Sequence, residues 1–257
     1  MPSHENLIAL YTLVRKEIRR FTRIWIQTLV PPAITVMLYF IIFGNLIGSR
    51  IGLMEGFSYM QFVAPGLIMM GVITNSYSNV VSSFFSARFQ KHVEELLVSP
   101  VPNYIILLGY VAGGVTRGLM VGLIVTVLAL FFTSLSIHNL FVTVSVVILT
   151  SLLFSLCGFI NAVFAENFDD ISIIPTFVLT PLIYLGGVFY SVSLLPDFWA
   201  ALSRLNPILY MVNAFRYGIL GISDINIGFA FMMIIGFNIA AFIFCLHLLK
   251  TGKKLRV

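Results

Sequence analysis

Residues 15–47 read RKEIRRFTRIWIQTLVPPAITVMLYFIIFGNLI: five cations, Arg15, Lys16, Arg19, Arg20 and Arg23, precede an apolar run from Ile24 to Ile47. A secretory leader begins in the same way, and length decides between the two readings. The apolar part of a leader spans about 7–15 residues and ends at an A-x-A-like site. The run here is longer and has no such site, so it is expected to stay in the chain as a first membrane span.

Five more runs of this kind follow: Tyr59 to Phe85, Tyr104 to Phe132, Leu140 to Phe164, Ile173 to Tyr190, and Ile227 to Leu249. Of the 257 residues, 59% are hydrophobic and 10% charged; a soluble domain carries about 25% charged residues. Lipid offers the backbone no hydrogen-bond partners, so only helices or closed barrels cross it, and these runs are too long and continuous for barrel strands. The expected fold is an all-α membrane protein of six transmembrane helices, with residues 1–257 forming one transmembrane domain. Chemistry that needs a large aqueous domain must sit on another chain.

The net charge of +5 does not form a nucleic-acid face, because the cations flank the apolar runs. With both termini in the cytoplasm, that side holds Arg15, Lys16, Arg19, Arg20, Arg23, Arg88, Lys91, Lys250, Lys253, Lys254 and Arg256, and the outside only Arg50, Arg204 and Arg216. This bias predicts the orientation. Cys157 and Cys245 lie inside apolar runs, form no CxxC pair and read as small buried hydrophobes.

Three segments lie outside the spans. In residues 1–23, Leu7, Leu10, Tyr11, Val14, Ile18 and Phe21 recur at helical spacing between the cations. That suits an amphipathic helix on the inner leaflet, or an extension of the first span into solvent. Residues 191–224 contain LLPDFWAALSRLNPILYMVNAFRYGIL (194–220), too apolar for a water-exposed loop and cut by Pro196 and Pro207 into pieces too short to span. Two short re-entrant or interfacial helices are expected there at the outer face, buried mostly by protein, the first N-capped by Asp197. Residues 86–103 contain FQKHVEELLVSPVP (89–102), where Phe89, Val93, Leu96 and Leu97 share one helical face, Arg88, Lys91, Glu94 and Glu95 lie around it, and Pro100 and Pro102 stop it. Such a helix suits docking into a partner's groove and equally suits an ordinary interfacial loop.

No nucleotide-binding loop is present: Gly252-Lys253 is followed by Lys254 and lacks the upstream glycine. HExxH and GxSxG are absent, and His4, His92, His138 and His247 fall at or outside span ends, so an enzyme is not expected. Arg117 lies deep in the third run, where a lipid-exposed cation costs several kcal/mol, so it must face the bundle, a wet cavity or an interface. Structural and substrate or gating roles both fit it. Gly109 and Gly113, then Gly114, Gly118 and Gly122, recur four apart, as close helix packing in membranes requires. Pro31, Pro32, Pro175, Pro181, Gly186 and Gly187 mark kinks. Glu166, Asp169 and Asp170 form an acidic turn suited to capping a helix, with metal binding as the alternative.

Three features together resemble the permease subunits of ATP-binding cassette exporters of the type-2 class: six spans after an amphipathic start, EELLVSPVP (94–102), and YLGGVFYSVSLLPDFWAALSRLNPILYMVNAFRYGILG (184–221). The resemblance covers essentially the whole chain. It implies a cytoplasmic coupling helix after the second span that docks on a separate ATPase, with Phe89, Val93, Glu94, Glu95, Leu96, Leu97 and Pro100 as candidate contacts. It further implies two copies of this chain with two ATPase subunits, a path at the permease dimer interface, and ATP and Mg held by the partner, with no cofactor on this chain. A bacterial inner membrane is the implied location. The helices after Pro196 and Pro207 would cap the path, with Arg117 and Arg216 as candidate path or gating residues. Span surfaces rich in Phe and Met suit an amphipathic or lipid-linked substrate. The rival reading is a membrane docking or assembly protein that recruits an ATPase without transporting.

Overall fold

A computed structural model describes residues 3–252. Lys253, Lys254 and Arg256, used above for orientation, lie outside them. The first apolar run is broken near its start. After α1 (Ser3–Arg23) come one turn, α2 (Trp25–Thr28), then α3 (Val30–Phe40), a π-helical stretch (Ile41–Ile47) and a last turn, α4 (Gly48–Ile51). Pro31 and Pro32 lie in the first turn of α3, where a missing N–H costs little, and the break sits just ahead of them. Thr28 spans it by donating its hydroxyl to the Phe21 carbonyl at 3.0 Å.

The fold is all-α as expected, with one small hairpin of two-residue strands, β1 (Leu53–Met54) with β2 (Phe57–Ser58). Its turn residues Glu55 and Gly56 both have positive φ, 52° and 83°, as a tight two-residue hairpin needs. Ser58 then opens the central helix, α5 (Tyr59–Phe89), through a reciprocal cap with Gln61. A short helix α6 (His92–Val98) leads into α7 (Asn103–Phe132) and α8 (Leu140–Phe164). The fifth run forms α9 (Asp170–Ile174), a π-helical stretch (Pro175–Leu179) and α10 (Thr180–Leu185). It ends earlier than the apolar run does, because Gly186 and Gly187 follow and Gly187 takes φ +72°.

The segment after it also differs in detail. Pro196, not Asp197, holds the N-cap position of α11 (Asp197–Arg204), without a side-chain bond. Asn206 caps α12 (Pro207–Leu220), accepting from the Ile208 N–H at 3.0 Å. α12 is buried along most of its length, as expected, but α11 is not: Phe198, Trp199 and Leu205 are exposed. α13 (Ile227–Thr251) closes the described chain.

The core forms where α5 packs between α7 and α8, with α12 and α13 against α8 and α1 along α7. Among the described residues, four segments are long and apolar enough to cross a membrane: Trp25–Gly44, α7, α8 and α13. α5 has 31 residues, about 46 Å at 1.5 Å per residue. Its second half carries Asn75, Ser76, Asn79 and Ser83, all buried, so its neighbours and not lipid cover its polar groups. The helix from Asp170 to Leu185 is apolar but shorter.

Candidate docking helix and transport cleft

One end of the bundle gathers α1, α6 and the 165–170 turn. Lys91, at φ +63°, turns the chain sharply after α5, so that α6 folds back against the bundle. Val93 is fully buried, and Leu96 and Leu97 are half-buried against the core. The apolar ridge of α6 therefore rests on its own bundle, fully at Val93 and in part at Leu96 and Leu97. What projects is Glu95, His92, Val98 and Pro100. Phe89, 60% exposed, leaves that ridge and meets Phe168 edge to face at 5.1 Å, while Phe168 packs on Phe85 at 4.9 Å. Arg88 is buried and donates to the carbonyls of Ala162, Val163 and Ala165, the unpaired end of α8. Asp170 accepts from the N–H groups of Glu166 and Asn167, and Asn167 Oδ1 accepts from those of Asp169 and Asp170, so this exchange closes the turn and the N-cap residue Asp169 makes no side-chain cap on α9.

Behind α6 runs a polar seam that the sequence does not announce. Glu17 sits at 1% exposure on the face of α1 that also buries Leu13 and Phe21. It accepts from Ser83 Oγ at 2.7 Å and from Arg20 Nε at 3.3 Å. Arg20 in turn donates to Asn79 through both its Oδ1 (2.8 Å) and its carbonyl (2.9 Å). Close approach makes this possible: a Cβ on Gly113 would stand 2.6 Å from Glu17 Cβ, and one on Gly109 the same distance from Leu13 Cβ. Gly114, Gly118 and Gly122 meet α5 instead, facing Val80, Ser76 and Val72. Arg15, Arg19 and Arg23 are exposed on the side of α1 away from the part of α7 that it covers. Arg117 lies one turn past it, donating to the Thr28 carbonyl and to Asn75 Oδ1, both at 3.1 Å.

Asn75 also lines a cleft of about 370 Å³ between α3, α5 and α10. Thr35, Thr74, Ser78 and Thr180 give it hydroxyls, and Val36, Met70 and Ile183 give it an apolar wall. Toward the hairpin it is crossed by a hydrogen bond between the Tyr39 and Tyr184 hydroxyls at 3.0 Å. Phe43 and Phe189 pack there at 4.9 Å, and Tyr184 stacks on Phe189 at 5.6 Å.

Arg216 is elsewhere, at the hairpin end and 1% exposed. It donates to the Gly187 carbonyl at 2.6 Å and the Phe62 carbonyl at 3.4 Å, and its guanidinium lies 3.9 Å from the Phe62 ring centre. A polar cavity of about 300 Å³ separates it from Glu55 and Asp224. Arg117 thus reaches the cleft only through Asn75 and does not line it, while Arg216 lies apart from it, as a tie between α12, α5 and the Gly187 turn. Tyr39, Asn75, Asn79 and Tyr184 were missed by sequence reasoning. A polar residue every few positions in the second half of an otherwise apolar α5 was the available signal.

Residues 8–220 match the family model of the ABC-2 type transporters. The chain is 59% identical over 253 residues to the inner membrane transport permease YadH of Escherichia coli K12, covering 98% of this chain and 99% of that one. It is 25% identical over 193 residues to nodulation protein J of Rhizobium meliloti (strain 1021), covering 75% of this chain and 74% of that one. With apolar membrane-length helices and a family match across most of its length, the chain belongs to the ABC-2 type transporter family, as a transport subunit and not an enzyme.

Proposed function

We propose that the chain is the permease of an ATP-driven exporter in a bacterial inner membrane, and that α6 couples it to a separate ATPase. The carrying observation is the seating of α6. Its buried ridge fixes it rigidly at the end of α5, while an acidic and aromatic face, Glu95 with Phe89 and Phe168, stays outward. A rigid short helix that presents such a face transmits movement between a partner and the longest helix of the bundle. In this reading the chain crosses the membrane six times, with α5 and the helix from Asp170 to Leu185 added to the four apolar segments. Both termini, α6 and the 165–170 turn are cytoplasmic, which follows the distribution of Lys and Arg.

Two copies of the permease with two ATPases complete the assembly, and the cleft between α3, α5 and α10 forms each copy's half of the path. ATP and Mg bind on the ATPase. The test is affinity purification of the tagged chain from native membranes in mild detergent. A P-loop ATPase is expected in one-to-one ratio, and is lost when Glu94→Ala and Glu95→Ala are combined. A chain that purifies alone under several mild conditions overturns the reading in favour of an ATP-independent role.

A further inference from the structure

A second cavity, of about 340 Å³, lies across the fifth apolar run from the cleft. Thr180, Ile183 and Tyr184 of that helix line the cleft, while Ile174, Val178 and Leu182 line the cavity, whose other walls come from α5, α8, α12 and α13. The helix between the two is π-helical from Pro175 to Leu179, a widened turn of the kind that recurs at functional sites. Apart from Tyr77 and Cys157, every side chain lining the cavity is hydrocarbon. Apolar cavities of less than half this volume, about 150 Å³, already stay dry and take hydrocarbon.

Two further observations say what fills it. Ile174, Val178 and Phe237 are exposed at its rim, and Leu153, Leu179 and Ile208 are buried at its floor, so the cavity opens sideways between the fifth run and α13 and closes inward. With the helix from Asp170 to Leu185 in the membrane, that mouth faces lipid chains and not water. The second observation is Tyr77, which is 2% exposed and whose hydroxyl has no hydrogen-bond partner. Asn161 is close but outside bonding geometry, and it donates its Nδ2 to the Ile171 carbonyl at 3.3 Å. A buried donor without an acceptor is costly, and in a dry cavity only an occupant brings one.

We infer that this cavity holds one acyl chain of an ester-linked bilayer lipid, whose ester carbonyl accepts from the Tyr77 hydroxyl. The shape fits a chain, since Ile174 to Leu182 cover roughly 12 Å of helix at 1.5 Å per residue. The depth fits an ester. Cys157, on the same wall as Tyr77, stands within two turns of the end of α8 at Phe164, which in the proposed orientation is the inner edge of the membrane. The lipid is resident and separate from whatever moves through the cleft, because the fifth run stands between the two spaces. The site rests on that run crossing the membrane.

The test reconstitutes the full chain in phosphatidylcholine vesicles that carry a trace of phosphatidylcholine with a diazirine on one chain, in ester-linked or ether-linked form, and maps cross-links by mass spectrometry. The ester form is expected to mark Leu153 and Leu179, which are buried from bulk lipid, about fivefold more than the ether form does, as one hydrogen bond allows. In Tyr77→Phe the two forms mark them equally. Ala240→Phe adds its ring at the exposed rim, so it narrows the mouth without burying anything and covers the case in which Tyr77→Phe fails to fold. It should lower marking of Leu153 and Leu179 several-fold and leave exposed Phe131 on α7 marked as before. Equal marking by both forms in the unaltered chain overturns the role of Tyr77 and with it the ester. Marking of exposed Phe131 and Phe177, with none at Leu153 and Leu179, overturns the site. Marking of Phe131 with none at Phe177 overturns instead the membrane crossing of the fifth run.

Discussion

Ser83 donates its hydroxyl to Glu17 Oε2 at 2.7 Å, and this bond ties the N-terminal helix to the central one. A helix that only floated on the inner leaflet would turn its charges to water. Here the single acid in the Arg-rich stretch of α1 points inward, and α1 is built into the bundle through it.

Glu17→Ala is therefore expected to destabilise the protein, because Arg20 and Ser83 lose their partner. Arg20 retains solvent and Asn79, so the loss is about 1–3 kcal/mol and not the larger value of a fully buried pair. Thermal unfolding of the purified chain in detergent measures it, with exposed Glu5→Ala as a control that stays within about 0.5 kcal/mol. Equal midpoints for the two variants would show that α1 is held by its apolar contacts alone.

Much of this fold can be read from composition and period, because the membrane imposes both. The apolar runs, the prolines beside the break at Leu29 and the glycine stripe of α7 are local patterns with a local physical cause. Glu17 is different: its partner Ser83 lies 66 positions away, and nothing near Glu17 in the chain distinguishes it from a solvated acid. The burial of Val93 is hidden for a related reason. A ridge read from helical spacing shows which residues share a face, but only the turn at Lys91 decides whether that face meets its own bundle or a partner. The hairpin at 53–58 is too short for any alternation to show, and the Tyr39–Tyr184 bond joins residues 145 positions apart.

The close packing of α8 on α5 makes Gly158 more sensitive than its sequence suggests. A Cβ there would stand 2.5 Å from the Tyr77 carbonyl oxygen, a backbone atom that cannot rotate away. Gly158→Ala is expected to cost about 1–3 kcal/mol by forcing the two helices apart. Gly236→Ala, with no atom within 4 Å of the new Cβ, should be neutral or stabilise by about 0.5–1 kcal/mol through helix propensity. Unfolding midpoints of both variants check the order, and similar midpoints would refute the contact.

The seating of α6 separates two kinds of variant that sequence alone would treat alike. Val93→Asp puts a charge into a fully buried site and should loosen α6, seen as faster proteolysis near residue 98 and a lower unfolding midpoint. Glu95→Ala should leave the midpoint within about 0.5 kcal/mol, since exposed Glu95 contributes little to folding, while lowering recovery of the ATPase several-fold. Unchanged recovery would remove Glu95 from the coupling role and leave α6 a structural element.

Tyr39 and Tyr184 join the first and fifth apolar runs across the mouth of the cleft through a single hydroxyl pair. Each hydroxyl is near solvent, so Tyr39→Phe or Tyr184→Phe alone should cost only about 0.5–1 kcal/mol. Once one hydroxyl is gone the other has already lost this bond, and the second substitution should cost almost nothing more. The double variant is thus expected to match either single one, which a double-mutant cycle reads as a coupling of about 0.5–1 kcal/mol. Strictly additive losses would show that the two hydroxyls act separately, and the stacked ring of Phe189, 5.6 Å from Tyr184, would then be what holds the cleft closed toward the hairpin.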